Sequence, residues 1–291
     1  MPGQLTRSAI ALQPEWLRQV TERVGAKRLP RDAHVLFTGC GTSFHAALAC
    51  GRAVQALELV LGQPSEADVL VAVSHEGGTA VTREAVEGFD GETWLVTGAT
   101  ESPLARLVDH VVVATPELEK SYCHTASYTC AIAAGRALLG EDVSGLSEAV
   151  ERELAADSLA ASEHERFLIA GAGVDTATVL EAVLKLREGA HVAAEGQHTE
   201  QLLHGHLAAI DSTVRCFLLA GRARAADRAR DVERALGELG CEVTLLPAVH
   251  PVVDIVRFQR LAVDLAAARG VDPDLIRRDE EPWDRARKSY A

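Results

Sequence analysis

Apolar residues in this chain fall into two alternating textures: short unbroken runs, and longer stretches in which they recur every three or four positions. In the first half, His34 to Thr38, Val69 to Val73, Thr93 to Thr97 and His110 to Val113 read as strands separated by helical segments. Strands of this length alternating with helices predict a parallel sheet with right-handed crossovers. Residues 10–27 predict an amphipathic helix entered through Pro14 near its first turn and stopped around Gly25. A helix from about Ala126 to Leu139 closes this unit, and residues 140–163, polar and acidic, read as the connection to a second one. The pattern then restarts: strand 166–170, helix 174–189, strand 215–220, helix 225–239, strand 241–246, helix 252–268. Each half opens with an apolar strand that runs into a Gly-containing turn and a helix, a weak internal duplication. The expectation is an α/β protein of two similar domains, 1–158 and 159–291, each a parallel sheet flanked by helices in three layers.

Composition narrows the function classes. The chain is 47% hydrophobic but only 4% aromatic, which suits helices packed on parallel sheets. A formal net charge of -13 argues against nucleic acid or an anionic membrane as partner. The Arg-rich run of Arg222, Arg224, Arg228 and Arg230 is interrupted by Asp227 and Asp231 and reads as a solvated helix face. Six cysteines without CxxC spacing read as buried thiols of a reduced compartment. With no apolar leader and no run long enough to span a bilayer, a soluble cytoplasmic protein is expected.

Two turns carry candidate chemistry in the first half. The strand 34–38 ends in Gly39-Cys40-Gly41-Thr42-Ser43, and the strand 69–73 ends in Ser74-His75-Glu76-Gly77-Gly78-Thr79. Glycines let a ligand approach the backbone, hydroxyls donate, and the following helix presents unpaired N–H groups, so both turns suit an anion. Adjacent parallel strands would aim them into one crevice. Taken singly, each is as well explained by ordinary helix capping. A dinucleotide fingerprint fits less well, because Phe44 follows Gly41 where a third glycine is needed and Ser74, not an acid, ends the second strand.

In the second half, Glu181, Lys185 and Glu188 share one helix face, with Val179, Val183, Leu186 and Ala190 on the opposite side. A Glu–Lys pair at that spacing is most often a solvated surface pair contributing about 0.3–0.5 kcal/mol. The segment that follows shifts the balance, for His198, Glu200, His204 and His206 crowd into nine residues. No metal-ligand spacing such as HExxH accompanies them, so no metal is expected.

The block LEAVLKLREGAHVAAEGQHTEQLLHGHLAAID, from Leu180 to Asp211, resembles the second sugar-isomerase (SIS) domain in the isomerase half of glucosamine-6-phosphate synthase and its stand-alone relatives. GCGTS is similar to that family's first phosphate loop and SHEGGT to its second, with Glu76 where the family commonly has Ser. Lys120 to Cys130 matches a third segment, in which His124 replaces a Ser and Ala126 a Lys while Thr125, Ser127 and Thr129 keep hydroxyls. Ala286-Arg287-Lys288-Ser289 can be laid on a tail that folds over the family's active site.

The resemblance implies two tandem SIS domains of Rossmann- or flavodoxin-like build, paired as a homodimer, and aldose–ketose interconversion or deamination of a phosphorylated sugar or amino sugar without a cofactor. Glu188 would move a proton between C1 and C2, His204 would assist ring opening in the neighbouring subunit's site, and Lys288 would reach the sugar carbonyl. Gly41, Thr42, Ser43, Ser74, His75, Gly77 and Thr79 would hold the phosphate, with His124, Thr125, Glu181 and Lys185 as further substrate contacts. A carboxylate suits the proton transfer because partial burial raises its pKa toward neutrality. Position 2 is Pro rather than a nucleophilic Cys, so no glutaminase is expected. A non-catalytic sugar-phosphate sensor is the alternative, and a nucleotide-binding oxidoreductase a more distant one.

Overall fold

The computed structural model describes residues 2–63, 66–221 and 223–290; Arg222 of the expected Arg-rich face lies outside them. Two all-parallel sheets form, one in each half of the chain. In the first half the elements are α1 (Gln4–Val24), β1 (Val35–Gly39), α2 (Thr42–Cys50), β2 (Ala53–Gln55), α3 (Ala56–Val60), β3 (Val69–Val73), α4 (Ala80–Glu87), β4 (Glu92–Thr97), β5 (His110–Val113), α5 (Ala126–Leu138) and α6 (Leu146–Ala155). The second half contributes β6 (Arg166–Gly171), α7 (Asp175–Ala190), β7 (Ala193–His198), α8 (Thr199–Leu203), β8 (Val214–Ala220), α9 (Arg224–Glu238), β9 (Glu242–Pro247), α10 (Pro251–Arg269) and α11 (Glu281–Lys288). Strand orders are β2-β1-β3-β4-β5 and β7-β6-β8-β9. In both sheets the chain reverses direction beside the first strand, which opens a crevice at the carboxyl ends of β1 and β3 and another at those of β6 and β8.

The strands are near-continuous aliphatic runs because both faces are covered; β3, VLVAV, is buried at every residue. One apolar core runs through both halves, from Phe37, Val71 and Ile132 to Ile169, Leu186 and Phe258. Helix α10 packs along α7 and also meets α1, α5 and α6, and α2 lies directly on α7. Ala46, Ala47 and Ala49 are buried on α2, and side chains this small let the two helices approach closely. The α2–α7 crossing carries the site.

Two expectations are corrected. Helix α1 begins at Gln4 rather than near residue 10, so Pro14 sits inside it. The start is fixed from far away: Asp274 accepts hydrogen bonds from the Leu5 and Thr6 amides, and Asp272 from the Gly3 amide. Pro14 cannot donate to the Ile10 carbonyl, and the Gln13 side-chain amide does so instead at 3.1 Å. The second correction is β7, AAEGQH, an exposed edge strand whose Gly, charge and single fully buried residue hide it from pattern reading.

Candidate active site

The first Gly turn works as expected at the level of backbone. A side chain on Gly39 would bring its Cβ within 2.9 Å of the Ser43 carbonyl carbon, so only glycine lets α2 start tightly against β1. Gly41 takes a left-handed φ of 55°, and α2 begins at the next residue. Thr42 and His45, three positions apart, therefore lie on one face of the first turn of α2, toward α7.

That face meets the charged stripe of α7. Glu181 is completely buried, Lys185 is 1% exposed, and the Glu188 side chain is 24% exposed. Lys185 Nζ lies 2.7 Å from Glu188 Oε2, 3.4 Å from Glu181 Oε1 and 3.4 Å from Thr42 Oγ1, to which it donates. Thr42 Oγ1 in turn donates to Glu181 at 3.2 Å, and His45 Nδ1 lies 2.7 Å from Glu181 Oε2. Burial alone would lower the Lys185 pKa, yet Glu188 and then Glu181 hold it well above the ordinary lysine value. The solvated-pair reading of this stripe is thus corrected: these are buried charges that hold one another in place.

Beside the network, across the carboxyl ends of β3, β4 and β5, lies a cavity of about 20 Å³ lined by Thr42, Ser43, His75, Thr115, His124 and Tyr128. That is room for about one water. His75 and His124 stand edge to face with ring centroids 5.2 Å apart. The Glu119 amide donates to His75 Nε2 at 2.9 Å. Burial is the main cause that pushes both imidazoles down to about 4, with His124 reinforcing the shift of His75 and Lys185 that of His124. Both are therefore neutral hydrogen-bonding groups at neutral pH. Among the described residues, the buried Tyr128 and Thr115 hydroxyls have no hydrogen-bond partner, and both residues line the cavity.

Other expected site residues make contacts of their own within the chain. Thr125 and Ser127 both donate to Glu119, whose buried carboxylate accepts four hydrogen bonds at the start of α5. Ser74 is buried with its amide bonded to Val96, Gly77 packs against Ser102, and Thr79 is an exposed residue before α4. Burial pushes the Cys123 thiol up to about 12, so it is no thiolate nucleophile.

Two expected catalytic residues stand apart. His204 is exposed at the end of α8, 2.9 Å from Glu200, which is itself clamped by Arg228. Lys288 is 74% exposed on α11 and paired with Asp284 at 2.7 Å. The tail instead brings Arg278 over the Tyr122 ring at 3.8 Å and Arg277 to His191, at the carboxyl end of α7, at 2.9 Å. Among the described residues no three His, Cys, Asp or Glu side chains gather as a metal site, and no helix is long and apolar enough to cross a membrane.

His45, Glu119 and Tyr128 escaped the sequence reading. His45 was the most legible of them, a polar residue one turn past the Gly turn on a helix otherwise rich in Ala.

Two parallel α/β units in tandem are the fold of tandem sugar-isomerase domains. The solved C-terminal domain of glucosamine-fructose-6-phosphate aminotransferase from Francisella tularensis superposes with a TM-score of 0.79 at 19% identity, covering 93% of this chain and 98% of that one. Glucosamine-6-phosphate deaminase from Thermotoga maritima gives 0.75 at 21% identity, covering 94% and 97%. In sequence, the chain is 29% identical to the isomerizing glutamine–fructose-6-phosphate aminotransferase of Aeropyrum pernix, over 92% of its own length and 53% of that protein's. The chain thus spans about half the length of the curated relatives it matches. No family profile matches it. The resemblance to the sugar-isomerase family holds across nearly the whole chain, as a likeness to the isomerase half of those synthases.

Proposed function

We propose that the protein is a phosphosugar or amino-sugar-phosphate isomerase or deaminase that transfers a proton between C1 and C2. The observation that carries this reading is the contact chain from Thr42, in the first Gly turn, through Lys185 to the partly exposed carboxylate of Glu188. A proton carrier and an anion-binding turn are thereby held on one rigid helix crossing, the arrangement a positioned general base needs.

In this reading the phosphate meets the Gly41 to Ser43 turn and the start of α2, with Ser74 to Thr79 alongside. The cavity is too small for a sugar, so the substrate lies across its mouth, with His75, His124 and the unpartnered hydroxyls of Thr115 and Tyr128 as neutral donors and acceptors. Glu188 removes the proton at one carbon and returns it to the next through an enediol or enolamine. Lys185 holds Glu188 in place, and Glu181 holds Lys185.

His204 has no role to play toward Glu188 from its exposed position in the same chain. We therefore assign it to the site of a second copy in a homodimer, where it would assist ring opening. All six cysteines are free, which fits a reduced, cytoplasmic setting.

The test is solvent deuterium incorporation at C2 of hexose and amino-sugar phosphates. Glu188→Gln should abolish exchange while ligand-induced thermal shifts persist. Wild-type exchange in that variant removes Glu188 from the mechanism. Ligand binding by wild type with no exchange for any sugar phosphate would favour the sensor alternative instead.

A further inference from the structure

Glu181 needs an answer to its charge, since it has no exposure to water and a carboxylate taken out of solvent without partners is costly. Lys185 is the obvious counter-ion, one turn along the same helix, but its ammonium stands 3.4 Å from Glu181 and 2.7 Å from Glu188. The closest partner of Glu181 is His45, at 2.7 Å, from α2 in the other half of the chain. His45 is 14% exposed at its side chain, and its Nδ1 faces Glu181. Of the two carboxylates competing for one buried ammonium, the more deeply buried is thus satisfied chiefly by an imidazole and a hydroxyl, and the ammonium is left to the more exposed one.

We propose that His45 is a positioning residue: by donating its Nδ1–H to Glu181 it keeps Lys185 engaged with Glu188, and so fixes the carboxylate that moves the proton. The role in turnover rests on the isomerase reading above; the role in placing Lys185 does not. Without the imidazole donor, Glu181 is the carboxylate in greater need, and Lys185 swings toward it. Glu188 then loses its anchor, and misplacing a reacting group by an ångström costs about 100-fold in rate.

The experiment compares wild type with His45→Phe, which keeps a ring but no donor, and His45→Asn, whose carboxamide can donate to Glu181. Crystal structures should show the Lys185–Glu188 contact opened beyond hydrogen-bonding distance in His45→Phe and kept in His45→Asn. In C2 deuterium exchange, His45→Phe should lose about 100-fold in kcat with little change in KM, and His45→Asn should recover most of it. The double variant His45→Phe/Glu181→Gln should also recover, because a neutral amide no longer draws Lys185 away, and it serves if the single variant does not fold. An unmoved Lys185 in His45→Phe, equal losses in the Phe and Asn variants, or a loss confined to KM would overturn the proposal. A wild type that exchanges no deuterium sinks the isomerase reading alone, and the position of Lys185 still decides this one.

Discussion

The two crevices of this molecule are built alike and charged differently. In the first, hydroxyls and the neutral imidazoles of His75 and His124 line the cavity, the buried Glu119 carboxylate is spent on hydrogen bonds at the start of α5, and the charged stripe at its edge comes from α7 of the other half. In the second, the carboxyl ends of β6, β8 and β9 converge on Asp175 and Asp254. Burial is the main cause that lifts Asp175 to about 6 and Asp254 to about 7, with Asp175 adding to the shift of Asp254. Asp254 spends its carboxylate on the Val249 and His250 amides, an internal fastening of the turn before α10. The second domain's first helix gives its charged side to its neighbour's crevice and keeps a carboxylate for its own. Duplicated architecture therefore did not duplicate the site: which crevice can do chemistry depends on where one helix turns its polar stripe.

The most severe way to break this asymmetry is to remove the shared cation. Lys185→Met leaves Glu181 buried without a counter-ion and should cost about 3–5 kcal/mol in chemical denaturation. Adding Glu181→Gln should return more than half of that. A loss below about 1 kcal/mol would mean that the network does not depend on Lys185.

A middle-sized effect distinguishes the crevices by pH. His75 and His124 have folded pKa values of about 4, below the ordinary 6.5, so the unfolded chain binds more protons between those values. Their contribution to stability is complete above pH 6.5 and is lost as pH falls toward 4. Asp254 and Asp175 run the other way: with folded values of about 7 and 6 against an ordinary 3.8, their contribution is complete below 3.8 and is lost as pH rises through 6 and 7. In denaturation series across this range, His75→Asn/His124→Asn should remove about 2 kcal/mol of acid sensitivity, and Asp175→Asn/Asp254→Asn a similar amount of alkaline sensitivity. Variants that shift both profiles in the same direction would refute the contrast.

The smallest expected effect is on exchange itself. Asp175→Asn, confined to the second crevice, should leave deuterium incorporation at C2 unchanged, and a marked loss would place chemistry there after all.

Much of this was legible in the sequence for a physical reason. Fully covered parallel strands tend to be apolar along their length, so β3, and β8 apart from Arg215, announce themselves, whereas β7 sits at an edge and carries no such requirement. The stripe of Glu181, Lys185 and Glu188 was visible as a stripe, but its burial was not. Periodicity shows which residues share a face and says nothing about what that face meets, and the same letters describe a wet surface pair. Only the Ala-rich approach of α2 turns them into a buried network. His45 was missed on the same ground, since its partner lies 136 positions further along. The tail was the least readable part, because its arginines are held by partners at three unrelated places in the chain: Arg278 by the Tyr122 ring, and Arg277 by the His191 imidazole and the Trp283 ring.

The clasp at the start of α1 has a temporal side. Asp272 and Asp274 hold backbone amides nearly 270 positions upstream, and Thr6, gripped by Asp274, also reaches Ser121 on the approach to His124. Until the turn carrying Asp272 and Asp274 has been made, nothing can tie off the start of α1 in this way. The residues that support one wall of the candidate crevice thus reach their final order only when the turn from Asp272 to Asp274 docks.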